Sequence, residues 1–209
     1  SVNGIVKLTA KGNLDLTFNP NQSGPDNTVK DVVVLSDGKL LVAGNFTKYN
    51  GVTVNRLIRL NTDGSIDTSF SMGTGFNYTI YSIVVQPDGK IIAAGSFSKY
   101  NGQAVNKVIR LLPNGDLDSS FAIGTNPNDT PNLLLLQTDG KVLVGGDFTT
   151  FDVKTSSKLI RLNLNGSVDS SFSVGTGFSG PIYAMALQED GKIVIGGSFS
   201  TYNGQSNKR

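Results

Sequence analysis

The chain has no cysteine, no histidine and no tryptophan among its 209 residues. Without cysteine, no disulfide staples the fold and no thiol does chemistry. Without histidine, the commonest general base and the commonest transition-metal ligand are both missing. Charge is sparse: 16% of residues are charged, and the net charge is +2. The lysines and arginines are spread along the chain rather than gathered into the basic stripe that nucleic acid needs, so no nucleic-acid partner is expected. No apolar run approaches the roughly 20 residues that a helical membrane span requires. No secretory signal pattern is present, which a mature chain would have lost. A polar, weakly charged sequence rich in Asn, Gly, Ser and Thr points to a secreted or cell-surface protein.

What is present is a repeat. Asp-Gly-Lys starts at Asp37, Asp88, Asp139 and Asp190, each 51 residues after the last. Gly-x-Phe follows at Gly44, Gly95, Gly146 and Gly197 with the same spacing. "LIRLN" at Leu57 returns at Val108 and Leu159, and more weakly as "IVKLT" at Ile5. "LDxSF" ends on Phe121, with variants ending on Phe18, Phe70 and Phe172. The step from Phe18 to Phe70 is 52, so the first copy carries one extra residue, placed in the loop Asn19–Asn27.

Each copy reads as four strands. In the second copy these are Ile80–Gln86, Lys90–Phe97, Lys107–Leu112 and Asp116–Phe121. Asp-Gly or Asn-Gly turns join the first to the second and the third to the fourth, which predicts type I′ hairpins. The first strands ("SIVVQ", "LLLLQ", "AMALQ") are continuously apolar, as strands buried on both faces should be. The small residues of "VAG", "AAG", "VGG" and "IGG" fit where neighbouring units converge. Eight of the eleven phenylalanines fall in two columns of the repeat, the signature of packing. Four antiparallel strands per unit indicate an all-β fold, a β-propeller of four 51-residue blades. A β-solenoid is the rival, and two hairpin turns per repeat oppose it.

The ordered set "DGKIIAAGSFSKYNG…NKVIRLLPNGDLDSSF" strongly resembles the delta-60 repeat, a β-propeller domain of unknown function. The resemblance covers all four copies. It implies a propeller of the kind found in large secreted or surface proteins of bacteria, and it brings no activity.

The seven last residues, "NGQSNKR" (Asn203–Arg209), break off inside the motif. Ser206 to Arg209 occupy the same columns as Ser1 to Gly4, so the ends are expected to share one blade. The blades are then about 28–76, 77–127 and 128–178, with a shared blade from 179–209 plus 1–27, in a single domain spanning 1–209. Residues 4–18 are expected to pair with 182–199. That pairing closes a four-bladed ring within a monomer, or an eight-bladed ring across a homodimer.

Several residue sets can be weighed for chemistry. Asp15, Asp67, Asp118 and Asp169 recur once per copy, beside Lys7, Arg59, Arg110 and Arg161. They read either as a ring of ligand-binding pairs or as salt bridges that set register. Catalysis by paired carboxylates needs unlike environments, which near-equivalent copies supply poorly. "NTDGSID" (Asn61–Asp67) lacks the first acidic ligand and the closing Glu of a calcium loop, so no metal or cofactor is expected. The Tyr-Asn-Gly loop supplies the ligand-binding candidates: Tyr49, Asn50, Tyr100, Asn101, Phe151, Asp152, Tyr202 and Asn203, with Tyr78 from the loops between blades. Their rings either stack on a ligand or fold back on their own blades. The expectation is a non-catalytic binding or display module of a secreted or surface protein, with an unknown protein or glycan ligand. The alternative is a lectin-like propeller with weak repeated sites.

Overall fold

A computed structural model describes residues 4–20, 23–71, 73–152, 154–155 and 158–206. Most of the predicted overlap between the termini (1–3 and 207–209), and part of the loop expected to hold the extra residue (21–22), lie outside these. The first blade contains β1 (Val29–Val34), β2 (Leu40–Gly44), β3 (Lys48–Tyr49), β4 (Val52–Thr53) and β5 (Leu57–Leu60). The second contains β6 (Ile80–Val85), β7 (Ile91–Gly95), β8 (Lys99–Tyr100), β9 (Gln103–Ala104) and β10 (Val108–Leu111). The third contains β11 (Pro131–Leu136), β12 (Val142–Gly146), β13 (Thr150–Phe151), β14 (Lys154–Thr155) and β15 (Leu159–Leu162). A partial blade follows with β16 (Ile182–Leu187), β17 (Ile193–Gly197), β18 (Thr201–Tyr202) and β19 (Gln205–Ser206). The described residues hold strands and turns and no helix.

The long strands of each complete blade form one antiparallel sheet, β1-β2-β5, β6-β7-β10 or β11-β12-β15. The expected fourth strand shrinks to a single bridge per copy: Leu8 with Leu14, Leu60 with Ile66, Leu111 with Leu117, and Leu162 with Val168. The aspartate that follows ends it. Asp67 Oδ1 accepts hydrogen bonds from the Ser69 N–H (3.0 Å) and hydroxyl (2.7 Å), curling the chain into a turn after one pair.

The turn chemistry also departs from expectation. In the Asp-Gly hairpins only the glycine has positive φ (Gly38, 81°), and Asp37 does not. Gly38 N–H donates to the Leu35 carbonyl, while Leu35 N–H donates to Lys39 O. This is a three-residue loop, a type I turn with a glycine bulge. The type I′ pair occurs instead in the Tyr-Asn-Gly loops, where Asn50 (50°) and Gly51 (81°) are both positive and close the two-residue hairpin β3–β4.

Burial peaks on the second strand. β2, β7 and β12 are buried almost throughout, whereas β1 alternates between half-buried and exposed. The second strand is paired on both edges and covered on both faces, but the first is the edge of its sheet. The glycine ending the second strand answers a need inside its own blade. A Cβ on Gly95 would lie 2.2 Å from the Thr79 carbonyl oxygen, at the bulge that starts β6. The small residue before it serves the contact between blades: a Cβ on Gly145 would touch Met185 of the following blade at 3.4 Å.

The core is divided into layers between sheets. One cluster joins Leu41 and Ala43 of the first blade to Ile83, Ile91 and Phe97 of the second. Another joins Ile92 and Ala94 to Val142, Val144 and Phe148. A third joins Phe18 to Val42, Phe46 and Ile58, and a fourth joins Leu143 and Leu159 to Phe178 and Ile182. Residues alternate along each second strand between the layer behind and the layer ahead, as a period of two requires. The first strands pack in series, β1 on β6, β6 on β11, β11 on β16, and no such packing joins β16 back to β1.

The expected pairing of 4–18 with 182–199 is therefore not made within the chain. Among the described residues β17 pairs only with β16, and Leu8 pairs with Leu14. Residues 5–18 belong to the layer against the first blade through Ile5 and Phe18. The partial blade stacks on the third blade. The ends thus lie on opposite sides of a stack of three complete blades.

Candidate functional site

The Tyr-Asn-Gly loops do adjoin the loops between blades, as expected. Bridges link Tyr49 with Pro25, Tyr100 with Phe76, and Tyr202 with Phe178. The side chains, however, are turned inward. Tyr49, Tyr100 and Phe151 are buried, and their rings lie in the blade layers rather than on the surface. The Tyr49 hydroxyl donates to Gly64 O (2.8 Å), and the Tyr100 hydroxyl to Gly115 O (2.5 Å). Burial pushes both phenols up to about 12, so they stay protonated as donors.

The polar partners of the motif are likewise occupied. Asn50 Oδ1 accepts from Gly24 N–H (2.7 Å), Asn101 Oδ1 from Gly75 N–H (2.8 Å), Asp152 Oδ1 from Thr125 N–H (3.1 Å) and Asn203 Oδ1 from Thr176 N–H (3.1 Å). Each clamps the loop between blades to the blade that follows. The column is a structural bracket, and the expectation that Tyr49, Tyr100 and Phe151 form a stacking platform fails because packing takes their rings. Tyr78 remains exposed in its loop, and Tyr202 is 37% exposed.

The second repeated set is a cluster of cations around a carboxylate. Asp118 Oδ2 accepts from Arg110 Nε at 2.8 Å, with Lys90 Nζ at 3.6 Å, and its Oδ1 accepts from Ser120. Asp67 is held by Lys39 (2.8 Å) and Arg59 (2.7 Å), and Asp169 by Lys141 (2.8 Å) and Arg161 (2.9 Å). Each arginine also lies over the phenylalanine closing its own copy, 4.6 to 4.8 Å from the ring centroid. Arg59 and Arg110 reach on to a carbonyl of the next hairpin, Pro113 and Leu164. Burial alone would raise the Asp118 pKa. The hydrogen bonds from Ser120 and Arg110 outweigh it and hold the carboxyl at about 2. For Asp67 the bonds from Lys39, Ser69 and Arg59 again overcome burial; for Asp169 the bond from Lys141 leads. These carboxylates are fixed, saturated acceptors rather than bases poised near neutrality. Asp63 serves its turn, accepting from Ser65 N–H and Oγ.

A further concavity, not foreseen as a site, opens beside Tyr202. It is a groove of about 620 Å3 between the third blade and the open side of the partial blade. Leu159, Arg161 and Phe172 line one wall, and Ile193, Ile195, Phe199 and Tyr202 the other, with Lys192 at its edge. Tyr202 is exposed here because, among the described residues, no third-strand hairpin covers it as one covers Tyr49 and Tyr100. The signal in the sequence was the half-copy itself.

A family profile described as a domain of unknown function (DUF5122) β-propeller matches residues 35–70, 86–121, 137–172 and 188–209. The chain belongs to this family. No curated protein matches it in sequence. Among solved structures it is similar to the extracellular domain of a protein assigned as a hybrid two component system from B. thetaiotaomicron: 15% identity, TM-score 0.54, over 88% of this chain and 22% of that one. A second is the extracellular domain of a protein assigned as a one component system from the same organism: 15% identity, TM-score 0.56, over 95% of this chain and 24% of that one. A virginiamycin B lyase from Staphylococcus aureus aligns at 14% identity with a TM-score of 0.45, over 95% of this chain and 70% of that one. The chain spans less than a quarter of the first two, and at these identities the likeness is one of fold.

Proposed function

We propose that this chain is a non-catalytic β-propeller module that binds or displays a partner as part of a secreted or cell-surface protein. The observation carrying this reading is that the recurring polar side chains of the three complete blades are engaged inside the scaffold. The Asp–Arg–Lys clusters are saturated, and the Asn brackets hold loops. The loops between blades also vary between copies, as in 73–79 and 122–130, where Tyr78 and Asp129 are exposed. A rigid frame presenting variable loops suits recognition. The fold likeness to extracellular domains agrees with a surface location. A lectin with one aromatic site per blade is not favoured, because three of its four rings are buried.

The test pairs binding with turnover. The chain is screened on arrays of extracellular proteins and glycans, and in parallel against panels of glycoside, polysaccharide-lyase and ester substrates. A bound partner lost on Tyr78→Ala, at unchanged thermal stability, supports the reading. Turnover abolished by Asp67→Asn or Asp118→Asn in a folded protein refutes it.

A further inference from the structure

The two ends of this stack are complementary. β2, β7 and β12 each pair on their outer edge with a third strand (β5, β10, β15), but β17 has no such partner among the described residues. An unpaired strand edge is a docking surface. At the other end, residues 5–8 occupy the repeat columns of Leu57–Leu60, and among the described residues no second strand pairs with them. Their apolar side chains Val6 and Leu8, with Leu14 across the bridge, are exposed. Those columns in the first blade are Ile58, Leu60 and Ile66, which pack around Phe46 and Tyr49. Phe199 and Tyr202, on the wall of the open groove, are the counterparts of Phe46 and Tyr49.

A second pair of surfaces matches as well. Val194 is 52% exposed, yet Leu41, Ile92 and Leu143 in its column are fully buried. Leu41 packs in one cluster with Ile83 and the partly buried Val85 of the following blade. The counterparts of those two are Val32 and Val34, both exposed on β1. Charge agrees with shape. Lys39 and Lys141 bond Asp67 and Asp169 at 2.8 Å, but Lys192 in the same column is bonded to its neighbour Asp190 and is largely exposed. The carboxylate in the Asp67 column is Asp15, at the far end of the stack beside Lys7.

We propose that a second copy of these 209 residues fills the groove. Residues 5–18 of one copy complete the partial blade of the other, with Ile193 opposite Leu8 and Gly196 opposite Ile5, the register of β2 on β5. Lys192 then bonds Asp15, the Tyr202 hydroxyl donates to Gly12 O, Arg161 reaches the Ala10 carbonyl, and Val194 packs on Val32 and Val34. Each contact repeats one already made inside the chain. The contact is heterologous, so it closes only if the rotation returns to the start. Two copies give eight blades, within the range of about four to eight found in propellers, whereas three would give twelve.

The 209-residue chain is examined by light scattering and sedimentation, with Lys192→Asp and Asp15→Lys prepared separately. Twice the 22.1 kDa chain mass is expected. Each single variant places like charges at both seams and should weaken the dimer at least ~10-fold. Mixing the two variants should restore it, since one seam is then charge-reversed and the other native. The mixture also shows that both variants are folded. A monomer at all concentrations, a larger closed ring or an open filament overturns the proposal, as does a dimer indifferent to both variants or not restored by mixing. A monomer would leave the groove to a ligand of another kind.

Discussion

Asp118→Ala tests whether the repeated ion clusters hold the blades together by compensating buried charge. Arg110 is 6% exposed, and its guanidinium donates to Asp118, Ser120 and the Leu164 carbonyl. Removing the carboxylate leaves that charge buried with only neutral acceptors, which costs about 3–5 kcal/mol. Asp118→Asn keeps the shape and one acceptor and should cost less, about 1.5–3 kcal/mol, the worth of a charge-assisted hydrogen bond. Asp67→Ala should fall below Asp118→Ala, because its partner Arg59 is 14% exposed and water can repair part of the loss. The assay is urea unfolding at neutral pH, read by the midpoint at constant slope. The decisive comparison is the double variant Arg110→Met with Asp118→Leu. If the penalty is uncompensated charge, the pair should recover at least half the cost of Asp118→Ala. A double variant as unstable as the sum of its singles would refute the reasoning.

Other outcomes follow from the same geometry. Gly95→Ala should destabilise far more than Gly102→Ala in thermal unfolding. The first drives a Cβ into the Thr79 carbonyl, while the second only places alanine at φ 78° in open space, for about 1–2 kcal/mol. Tyr100→Phe should cost about 1 kcal/mol in urea unfolding by leaving the Gly115 carbonyl unpaired; the third blade already carries Phe151 there. Acid titration followed by circular dichroism should show a loss between about pH 4 and 2. The Asp118 carboxyl is held at about 2, below its ordinary value, so its contribution is complete above pH 4 and disappears as pH falls through 2. Tyr49 and Tyr100 are raised to about 12, so their contribution is complete below about pH 10 and lost as pH rises to 12, with a matching delay in phenolate absorbance.

The period of 51 was enough to place every long strand of the blades, because a strand sequence with a turn at each end has one way to pair with its neighbour. Local chemistry was less legible. Asp-Gly at Asp37 and Asn-Gly at Asn50 look alike as dipeptides, yet only the second adopts the type I′ turn. The number of residues between paired strands decides the turn, and that number is set by register. The fourth strand is shorter than the pattern of residues predicts, because the bonds from Ser69 to Asp67 turn the chain after one bridge.

The sequence by itself determined the repeating unit, its all-β character and the layers of phenylalanine, since these depend on patterns of neighbours along the chain. Only the tertiary structure decided which way the Tyr-Asn-Gly rings point and whether the ends meet. Tyr49 and Tyr202 have the same local sequence, and one is buried while the other is not. The difference lies in a hairpin that covers the first, with Gly64 lying 15 residues beyond Tyr49, and that among the described residues does not cover the second. The columns of the repeat match residues 5–18 to the third strand that the open groove lacks among the described residues. The direction in which three blades stack carries those residues to its opposite side.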